Sequence, residues 1–410
     1  MKPIEIDGRT GEGGGQVVRV AICIAALTTQ PVIIRNVRGN RGGPKGGGLK
    51  SQHVTSIQWL AEATDAEVEG LSVGSTTVSF IPRRGPSELL QRTIKLSAAS
   101  GSASTLLILQ AILPFLVFAG NSSREPIELE ISGGTNVSFS LSYDYLDQVL
   151  LPVLEERFGI RVERRLTCRG WSLGPQSRGS FWLKILPIPV GEPLRYKAAV
   201  PRKHPESFEV TAVDVTMVVP STVHEELQNA LVKDLDVIFP GADVNFKLVE
   251  DSFLETRWYI LLVAHSKGGI RWGKDYLGSM PKKGKLRGSF TSQVSDKLCR
   301  GLFEEVAQGG EVDVHLQDQL ICFQALCHGY SSFPRGESPD DSSEGVLIDA
   351  LGNLEIGESR MRREKSSEPF GHGSLHTQTA RWVVSELLPG VEFYNKGHLV
   401  RGVGTSFACP

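Results

Sequence analysis

A glycine-rich run near the N-terminus, Gly11-Glu12-Gly13-Gly14-Gly15-Gln16, leads directly into an apolar helix. Glycines let a backbone approach a ligand closely, and a helix N-terminus attracts anions. The run lacks the Lys-Ser/Thr pair of a Walker A loop and the spacing of a dinucleotide fingerprint. Glu12 could hold a divalent cation that bridges phosphates. By itself, the run predicts either a phosphate-binding turn or a simple tight turn.

Positive charge is concentrated in the segment Arg35–His53, which has five Lys or Arg residues and no acidic residue. An unopposed basic loop favours phosphate binding, although a solvated surface loop can have the same composition. The segment ends with Gln52 and His53 at a predicted helix start, which is a second potential anion site. Arg19, one turn into the apolar helix, needs an anionic partner, either a carboxylate or a phosphate.

Three further polar positions interrupt apolar helices. Asp318 and Gln319 lie within one helix pattern, and Gln110 lies in the middle of another. A buried amide needs hydrogen-bond partners, which can come from the core or from a ligand. His376 begins a helix among the hydroxyls of Ser374–Thr379. Such a histidine could be a nucleophile toward phosphorus, although most single histidines have no such role.

Composition indicates a globular protein rather than a disordered or fibrous chain. Of the 410 residues, 40% are hydrophobic and 22% are charged. The net charge of -2 excludes a uniformly basic nucleic-acid coat but allows a local basic patch. Neither a signal peptide nor an apolar run of about 20 residues is visible, so we expect a soluble intracellular protein of the nucleus or cytoplasm.

The elements that must position these residues alternate along the chain. Periodicity predicts strands at Pro3–Asp7, Pro31–Asn36, Val73–Pro82 and Ile127–Ser132, with helices at Gln16–Leu27, Ser51–Thr64, Ser104–Phe118 and Tyr143–Phe158. A similar order recurs from Lys285, with one helix carrying Val294, Leu298 and Leu302, a second at Leu316–Leu326 and a third at Val383–Leu388. This recurrence predicts an α/β core repeated about three times.

Two segments depart from the repeat. Residues 186–279 have proline-rich and glycine-rich borders, which predict a small inserted α/β domain. The repeated core then comprises residues 1–185 and 280–410. Within it, residues 334–369 are rich in Ser, Gly and charge, which predicts a long disordered loop.

Taken together, the motifs resemble those of RNA 3′-terminal phosphate cyclases. The resemblance begins with Asp7-Gly8, the glycine-rich run and Arg19, and it continues in the family order over nearly the whole chain. The later motifs are Arg38, Arg41, Gln52-His53, Leu109-Gln110, Ile131-Ser132-Gly133-Gly134-Thr135, Asp318-Gln319-Leu320 and His376 with Thr379. It implies a core of three βαβαββ-type units similar to the C-terminal domain of translation initiation factor three, plus a small inserted α/β domain.

The resemblance also implies an ATP-dependent nucleotidyl transfer in three steps. His376 would attack the α-phosphate of ATP, giving a histidyl-adenylate and pyrophosphate. The AMP would pass to an RNA 3′-phosphate, and the vicinal 2′-hydroxyl would close a 2′,3′-cyclic phosphate and release AMP. Glu12 would help to bind Mg²⁺ or Mn²⁺. Phosphate and RNA contacts would come from Arg19, Arg38, Arg41, Gln52 and His53, and nucleotide contacts from Gln110, Gly133, Gly134, Thr135, Asp318 and Gln319.

Some positions depart from the family pattern, and two other functions compete. Asn136 stands where the family usually has Asp, and the glycine triplet expected after Trp171 is rearranged. One branch of the family acts in ribosome assembly without the nucleophile, and His376 in its expected context argues against that function. An enolpyruvyl transferase has similar repeats but needs a Lys/Arg carboxylate clamp, which no residue pattern here singles out.

Overall fold

The computed structural model describes residues 2–42, 46–172, 175–197, 205–279, 289–335 and 368–408. Its first sheet has the strand order β1-β2-β4-β3, with β1 and β2 parallel and the other neighbours antiparallel. The elements of this unit are β1 (Ile4–Asp7), α1 (Gly15–Thr28), β2 (Val32–Arg35), α2 (Ser51–Thr64), β3 (Glu67–Glu69) and β4 (Val78–Ile81).

The second sheet repeats this arrangement with the order β5-β6-β8-β7, and its first two strands are again parallel. Its elements are a 3-10 turn (Pro86–Glu88), β5 (Thr93–Ser97), α3 (Thr105–Phe118), β6 (Ile127–Gly133), α4 (Tyr143–Tyr145), a π-helical turn (Leu146–Leu150), α5 (Leu151–Phe158), β7 (Arg161–Cys168) and β8 (Gly179–Leu186). The predicted helix Tyr143–Phe158 is therefore present but contains a π turn.

A third sheet, ordered β10-β9-β11-β12, differs in topology because its second strand in sequence lies at the edge. Its elements are β9 (Val210–Val219), α6 (His224–Ile238), β10 (Asp243–Asp251), β11 (Trp258–Ser266), β12 (Arg271–Gly278) and α7 (Phe290–Ala307), with 3-10 turns at Pro205–Phe208 and Ser221–Val223. We refer to β9 through α7 as the inserted unit.

The last sheet has the order β13-β15-β14 and is antiparallel throughout. Its elements are α8 (Val314–Leu326), β13 (His328–Ser332), α9 (Leu375–Leu387), β14 (Glu392–Tyr394) and β15 (Leu399–Val403). Arg195 forms a parallel bridge with His328 at the free side of β13. With that bridge, the strand order of the first two sheets appears a third time, and the inserted unit interrupts it. The likeness to translation initiation factor three stays a prediction.

The chain builds two apolar cores, and α7 belongs to the second. The main core centres on α1, whose residues Gln16–Leu27 are all buried and which packs against α2, α3 and α9. In the second core, Val294, Leu298 and Leu302 of α7 pack with the inserted sheet. The sequence pattern predicts that this helix belongs to the repeated core, because periodicity shows an apolar face but not the surface against which that face packs. Whether residues 186–279 form a separate domain stays a prediction.

The described helices confirm the strongest periodic predictions. Gln16–Leu27, Ser51–Thr64 and Ser104–Phe118 are helical within a residue or two of their predicted ends. Most of the predicted 334–369 loop lies outside the described residues. Among the helices that the structure describes, none is long and apolar enough to cross a membrane.

Asp313 joins three parts of the structure at one buried carboxylate. It caps α8 by accepting hydrogen bonds from the backbone N–H groups of His315 and Leu316, both at 2.9 Å. It also accepts from the Tyr145 hydroxyl at 2.6 and 2.8 Å and from the Gly273 N–H at 2.8 Å. Because Tyr145 lies in α4 and Gly273 in β12, this carboxylate ties the inserted unit to two repeats.

We expect Asp313→Ala to lower the free energy of unfolding by about 3 kcal/mol or more, because it removes a helix cap and leaves buried donors unpaired. Urea unfolding measures this change. Asp296→Ala is the control, since Asp296 forms an exposed ion pair with Arg300 in α7 and should change stability by less than about 1 kcal/mol. Equal stability losses in the two variants would show that Asp313 is not a structural link.

Candidate active site

His376 and Glu12 meet although they are far apart in the sequence. Ser374 caps α9 by accepting a hydrogen bond from the Thr377 N–H, which places His376 in the first turn of the helix. The His376 Nε2 atom lies 3.1 Å from Glu12 Oε2. The Glu12 side chain is only 5% exposed, and its Oε1 accepts from the Gln16 N–H at 3.0 Å. The glycine-rich turn thus presents one buried carboxylate to the histidine.

Thr379 fixes the glycine-rich turn against α9. Its Oγ1 accepts a hydrogen bond from the Glu12 N–H at 3.0 Å and donates one to the Leu375 carbonyl at 2.6 Å. Gly11 has φ +68°, and a Cβ there would overlap the Thr379 hydroxyl. Glycine is therefore required at this position both for its backbone conformation and for the close approach.

The contact between Glu12 and His376 changes the pKa of both groups. Burial raises the pKa of Glu12, but the hydrogen bonds from His376 and Gln16 and the charge of Arg19 outweigh it and lower the pKa to about 2. The Glu12 hydrogen bond raises the pKa of His376 above its usual value despite partial burial. Glu12 is therefore ionised at neutral pH and stabilises the protonated imidazole.

Four polar side chains surround Asp318 and connect three helices. Gln16, Gln110 and Gln319 donate to Asp318 Oδ2 at 3.1, 3.4 and 2.8 Å. Arg19 donates to Gln110 Oε1 and to Gln16 Oε1, both at 2.6 Å. Burial lowers the pKa of Arg19 to about 10 and raises the pKa of Asp318. Arg19 stays charged at neutral pH and, in this structure, hydrogen bonds to amide oxygens.

His53 and Arg19 point two donors at the same space beside Gly15. The His53 Nδ1 atom accepts from the Lys50 N–H at 3.1 Å, and burial lowers the pKa of His53 well below its usual value. The ring is therefore neutral with its proton on Nε2, an atom that is buried and has no hydrogen-bond partner. A Cβ at Gly15 would lie 2.6 Å from Arg19 Nη1 and 2.7 Å from His53 Nε2. The turn leaves room for an acceptor there.

The basic segment supplies two more arginines in different settings. Arg41 is half-exposed and donates to Glu12 Oε2 at 2.8 Å. Arg38 has φ +55°, and its Nη1 donates to the Gly48 carbonyl at 3.4 Å. Its positive charge contributes to the lowered pKa of both His53 and Lys50. Gln52 lies partly exposed in the first turn of α2, next to His53.

A cavity of about 580 Å³ opens beside His376. Its polar lining residues include Arg19, Gln110, Asp318, Gln319 and His376. Its apolar lining residues include Leu106, Leu109, Leu113, Pro114, Leu146 and Phe323. This combination of an apolar slot and a few convergent polar groups suits a ligand with a flat ring and an anionic group.

The sequence missed several residues of the cavity wall. Asp275 and Tyr276 of β12, Lys297 of α7 and His315 of α8 all line it. The first three come from the inserted unit, so they reach the cavity only through the docking of that unit on the core. No local pattern around them indicates such a role.

The structure places Gly133, Gly134 and Thr135 away from the cavity lining described above. The Gly134 carbonyl accepts from the Thr105 N–H and the Thr105 hydroxyl, and the Gly134 N–H donates to the Ala103 carbonyl. Thr135 is fully buried, and its Oγ1 accepts from the Gly170 N–H at 3.0 Å. These contacts join β6 to α3 and to the chain after β7, so their predicted nucleotide contacts stay untested.

Asn136 has a structural setting that explains why a neutral residue is tolerated there. It is fully buried, accepts from the Thr135 hydroxyl at 2.8 Å and lies 3.5 Å from Asp144 Oδ2. Asp144 already forms a bidentate pair with Arg169. An aspartate at 136 would place a second carboxylate beside Asp144, whereas the amide donates to it.

Glu12 is the described carboxylate that suits the predicted Mg²⁺ or Mn²⁺. Among the residues that the structure describes, no group of three or more His, Cys, Asp or Glu side chains is arranged to hold a metal. Mg²⁺ is commonly bound by one or two carboxylates together with substrate phosphates. Glu12 fits that pattern, since it contacts His376 in the cavity wall and would need phosphate oxygens to complete a metal site.

Comparison with known proteins identifies the family. A family model described as RNA 3′-terminal phosphate cyclase matches residues 10–393. The chain belongs to this family. Curated proteins named RNA 3′-terminal phosphate cyclase are similar over most of their length. That of Pyrococcus furiosus is 33% identical over 80% of this chain and 86% of its own, and that of Thermococcus kodakarensis is 33% identical over 80% and 87%. That of Ignicoccus hospitalis is 32% identical over 80% and 86%.

The Glu12–His376 contact predicts a pH effect. Because the pKa of His376 is raised, its imidazole loses the proton only at a pH above the usual 6.5. Glu12→Gln removes the negative charge, so His376 should titrate at lower pH in that variant. Histidine side-chain NMR signals followed against pH measure the shift, with the other histidines as internal controls. An unchanged His376 titration would contradict the ion pair.

Proposed function

We propose that this chain converts the 3′-terminal phosphate of RNA into a 2′,3′-cyclic phosphodiester, at the expense of ATP and through a histidyl-adenylate on His376. The observation that carries the proposal is the His376–Glu12 pair at the mouth of a cavity that has an apolar slot and several phosphate-binding donors. Membership of the cyclase family and the names of the relatives support the same reaction.

In the first step, His376 Nε2 forms a bond to the α-phosphorus of ATP and pyrophosphate leaves. Nε2 is the atom that faces Glu12, so its proton must pass to solvent and the hydrogen bond to Glu12 must break before Nε2 can attack phosphorus. In the adenylate Nε2 would carry the phosphorus, so the proton that makes the imidazole a good leaving group would be on Nδ1. A divalent cation on Glu12 would neutralise phosphate charge when bound.

The donors around Gly15 are suited to a phosphate group of the nucleotide. Arg19 stays charged, and His53 Nε2–H has no partner in the protein. Both aim at the same space, where preorganised donors stabilise the negative charge that develops during transfer. The adenine ring would occupy the apolar slot beyond Gln110 and Asp318.

In the second and third steps, the adenylyl group passes to the RNA and then leaves. An oxygen of the RNA 3′-phosphate attacks the adenylyl phosphorus, and the P–N bond to His376 breaks. The neighbouring 2′-hydroxyl then attacks the activated 3′-phosphorus, loses its proton and expels AMP. We assign this RNA phosphate to Arg38 and Arg41, in the loop before α2, and to Gln52 in the first turn of α2.

Radiolabelling tests the nucleophile directly. With ATP labelled at the α-phosphate and a divalent metal, the protein should acquire a label that acid removes and alkali does not, as expected for a phosphoramidate. His376→Ala should abolish the label because no nucleophilic nitrogen remains. His328→Ala replaces an exposed histidine outside the cavity and is the matched control. Full labelling of His376→Ala would contradict this proposal. Absence of labelling in the parent and in both variants would favour the inactive branch of the family that acts in ribosome assembly.

The basic segment Arg35–His53 leads to a prediction about the kcat/KM of cyclisation. Arg41→Ala should weaken cyclisation at limiting RNA by one charge-assisted hydrogen bond, about 1–3 kcal/mol or roughly 5- to 150-fold in kcat/KM. Arg35→Ala is the control, because Arg35 lies at the start of the same segment but pairs with the exposed Glu5. Equal kcat/KM values for the two variants and the parent would show that the loop is only solvated surface.

A further inference from the structure

A second, smaller concavity of about 90 Å³ lies where the inserted unit meets the second repeat. Its buried part contains Arg257 and Trp171, which are 6% and 3% exposed. The guanidinium carbon of Arg257 lies 4.7 Å from the centroid of the Trp171 ring. Because the Trp171 ring covers one face of the guanidinium, the N–H groups at the edge of the guanidinium form its hydrogen bonds.

The rim of this concavity consists of hydroxyl groups that solvent can reach. They belong to Ser138, Ser172, Thr256 and Ser279. Hydroxyls can donate to an anion and adjust their orientation to it. Among the described residues that line the concavity, none is acidic.

Arg257 is a buried charge with only neutral partners. Its Nη1 donates to Gln176 Oε1 and to the Ser252 carbonyl, both at 3.3 Å, and its Nη2 donates to the Pro175 carbonyl at 2.7 Å. A guanidinium has five N–H donors, so these three bonds leave two for another acceptor. Buried arginines normally pair with an anion, as Arg169 of the second repeat does with Asp144 of that repeat.

The position of the concavity relates it to the reaction. Of its described lining residues, Ser138 and Leu277 also line the large cavity, whereas the Glu12, Arg19 and His376 site does not contribute to it. A group held by Arg257 would therefore lie outside the site at which the phosphate reacts with His376. The polyanion that the reaction brings to this face is the RNA, whose further phosphates repeat along the strand.

We propose that this concavity, which we call the Arg257 site, binds a backbone phosphate of the RNA upstream of the reacting 3′ end. The edge of the guanidinium would bind two phosphate oxygens, and the rim hydroxyls would complete the contact. The assignment of RNA as the ligand rests on the proposed cyclase function. Free inorganic phosphate offers the same chemistry, so the experiment distinguishes the two sources.

Equilibrium binding of a 3′-phosphorylated oligoribonucleotide, measured by fluorescence anisotropy without ATP at several salt concentrations, tests the site. Arg257→Gln should weaken binding by about tenfold or more, and the slope of log K against log salt should become shallower by about 0.7, the value for one contact with a single strand. Arg257→Lys keeps the charge and should keep most of the slope. Arg164→Gln is the matched control, because Arg164 in the neighbouring second repeat is already paired with Asp147.

Each other outcome rejects the assignment. An unchanged affinity and slope for Arg257→Gln would show that no RNA phosphate binds there. A loss of affinity in both Arg257 variants with an unchanged salt slope would show a purely structural arginine. The ligand would be free phosphate if inorganic phosphate protects the parent protein, but not Arg257→Gln, against thermal unfolding while both proteins bind RNA equally well. Since binding is measured without catalysis, failure of His376 labelling leaves this test intact.

Discussion

The contact between Glu12 and His376 is the constraint on which the rest of the active site depends. It joins the glycine-rich turn near the N-terminus to α9, and Thr379 holds the same two segments together by accepting a hydrogen bond from the Glu12 N–H. Around this junction α1 packs against α2, α3 and α9, so elements of all three repeats surround the contact. A change that displaces α9 would separate the histidine from its carboxylate without altering either residue.

The electrostatics of the site follow from buried nitrogen donors whose described hydrogen bonds do not include a carboxylate. Arg19 hydrogen bonds to amide oxygens, and His53 is held neutral with an unpaired Nε2–H. In water such donors would be satisfied by solvent, whereas here the protein orients them in advance. In the proposed reaction, a phosphate that enters would gain strong hydrogen bonds without reorganising the protein. Arg257 is similar, because its described hydrogen bonds go to neutral acceptors.

Sequence reasoning succeeded where the signal is local. Apolar periodicity located α1, α2 and α3, and polar residues at unexpected helix positions indicated Gln110 and Asp318, which the structure brings together with Arg19. A polar group on a buried helix must find a partner, so such positions report on a site even before the fold is known.

The other residues of the site could be identified only from the tertiary structure. Lys297 reaches the cavity because α7 packs on the inserted sheet, a partner that its apolar face does not specify. His315 lies there because it precedes Asp318 by about one helical turn in α8, so both side chains are on the same face of that helix. By contrast, the conspicuous Gly133–Thr135 motif supports backbone contacts between β6 and its neighbours. Glycines serve tight packing and ligand approach equally well, and the sequence does not separate these uses.

The central claim is that AMP on His376 lies on the route to the cyclic phosphate. A single-turnover chase tests it most directly: the adenylylated protein is separated from ATP and then mixed with RNA that ends in a 3′-phosphate. The account predicts that the label leaves the protein as AMP while an equal amount of 2′,3′-cyclic ends appears. Label that remains on His376, or that is lost without cyclic product, would contradict the account.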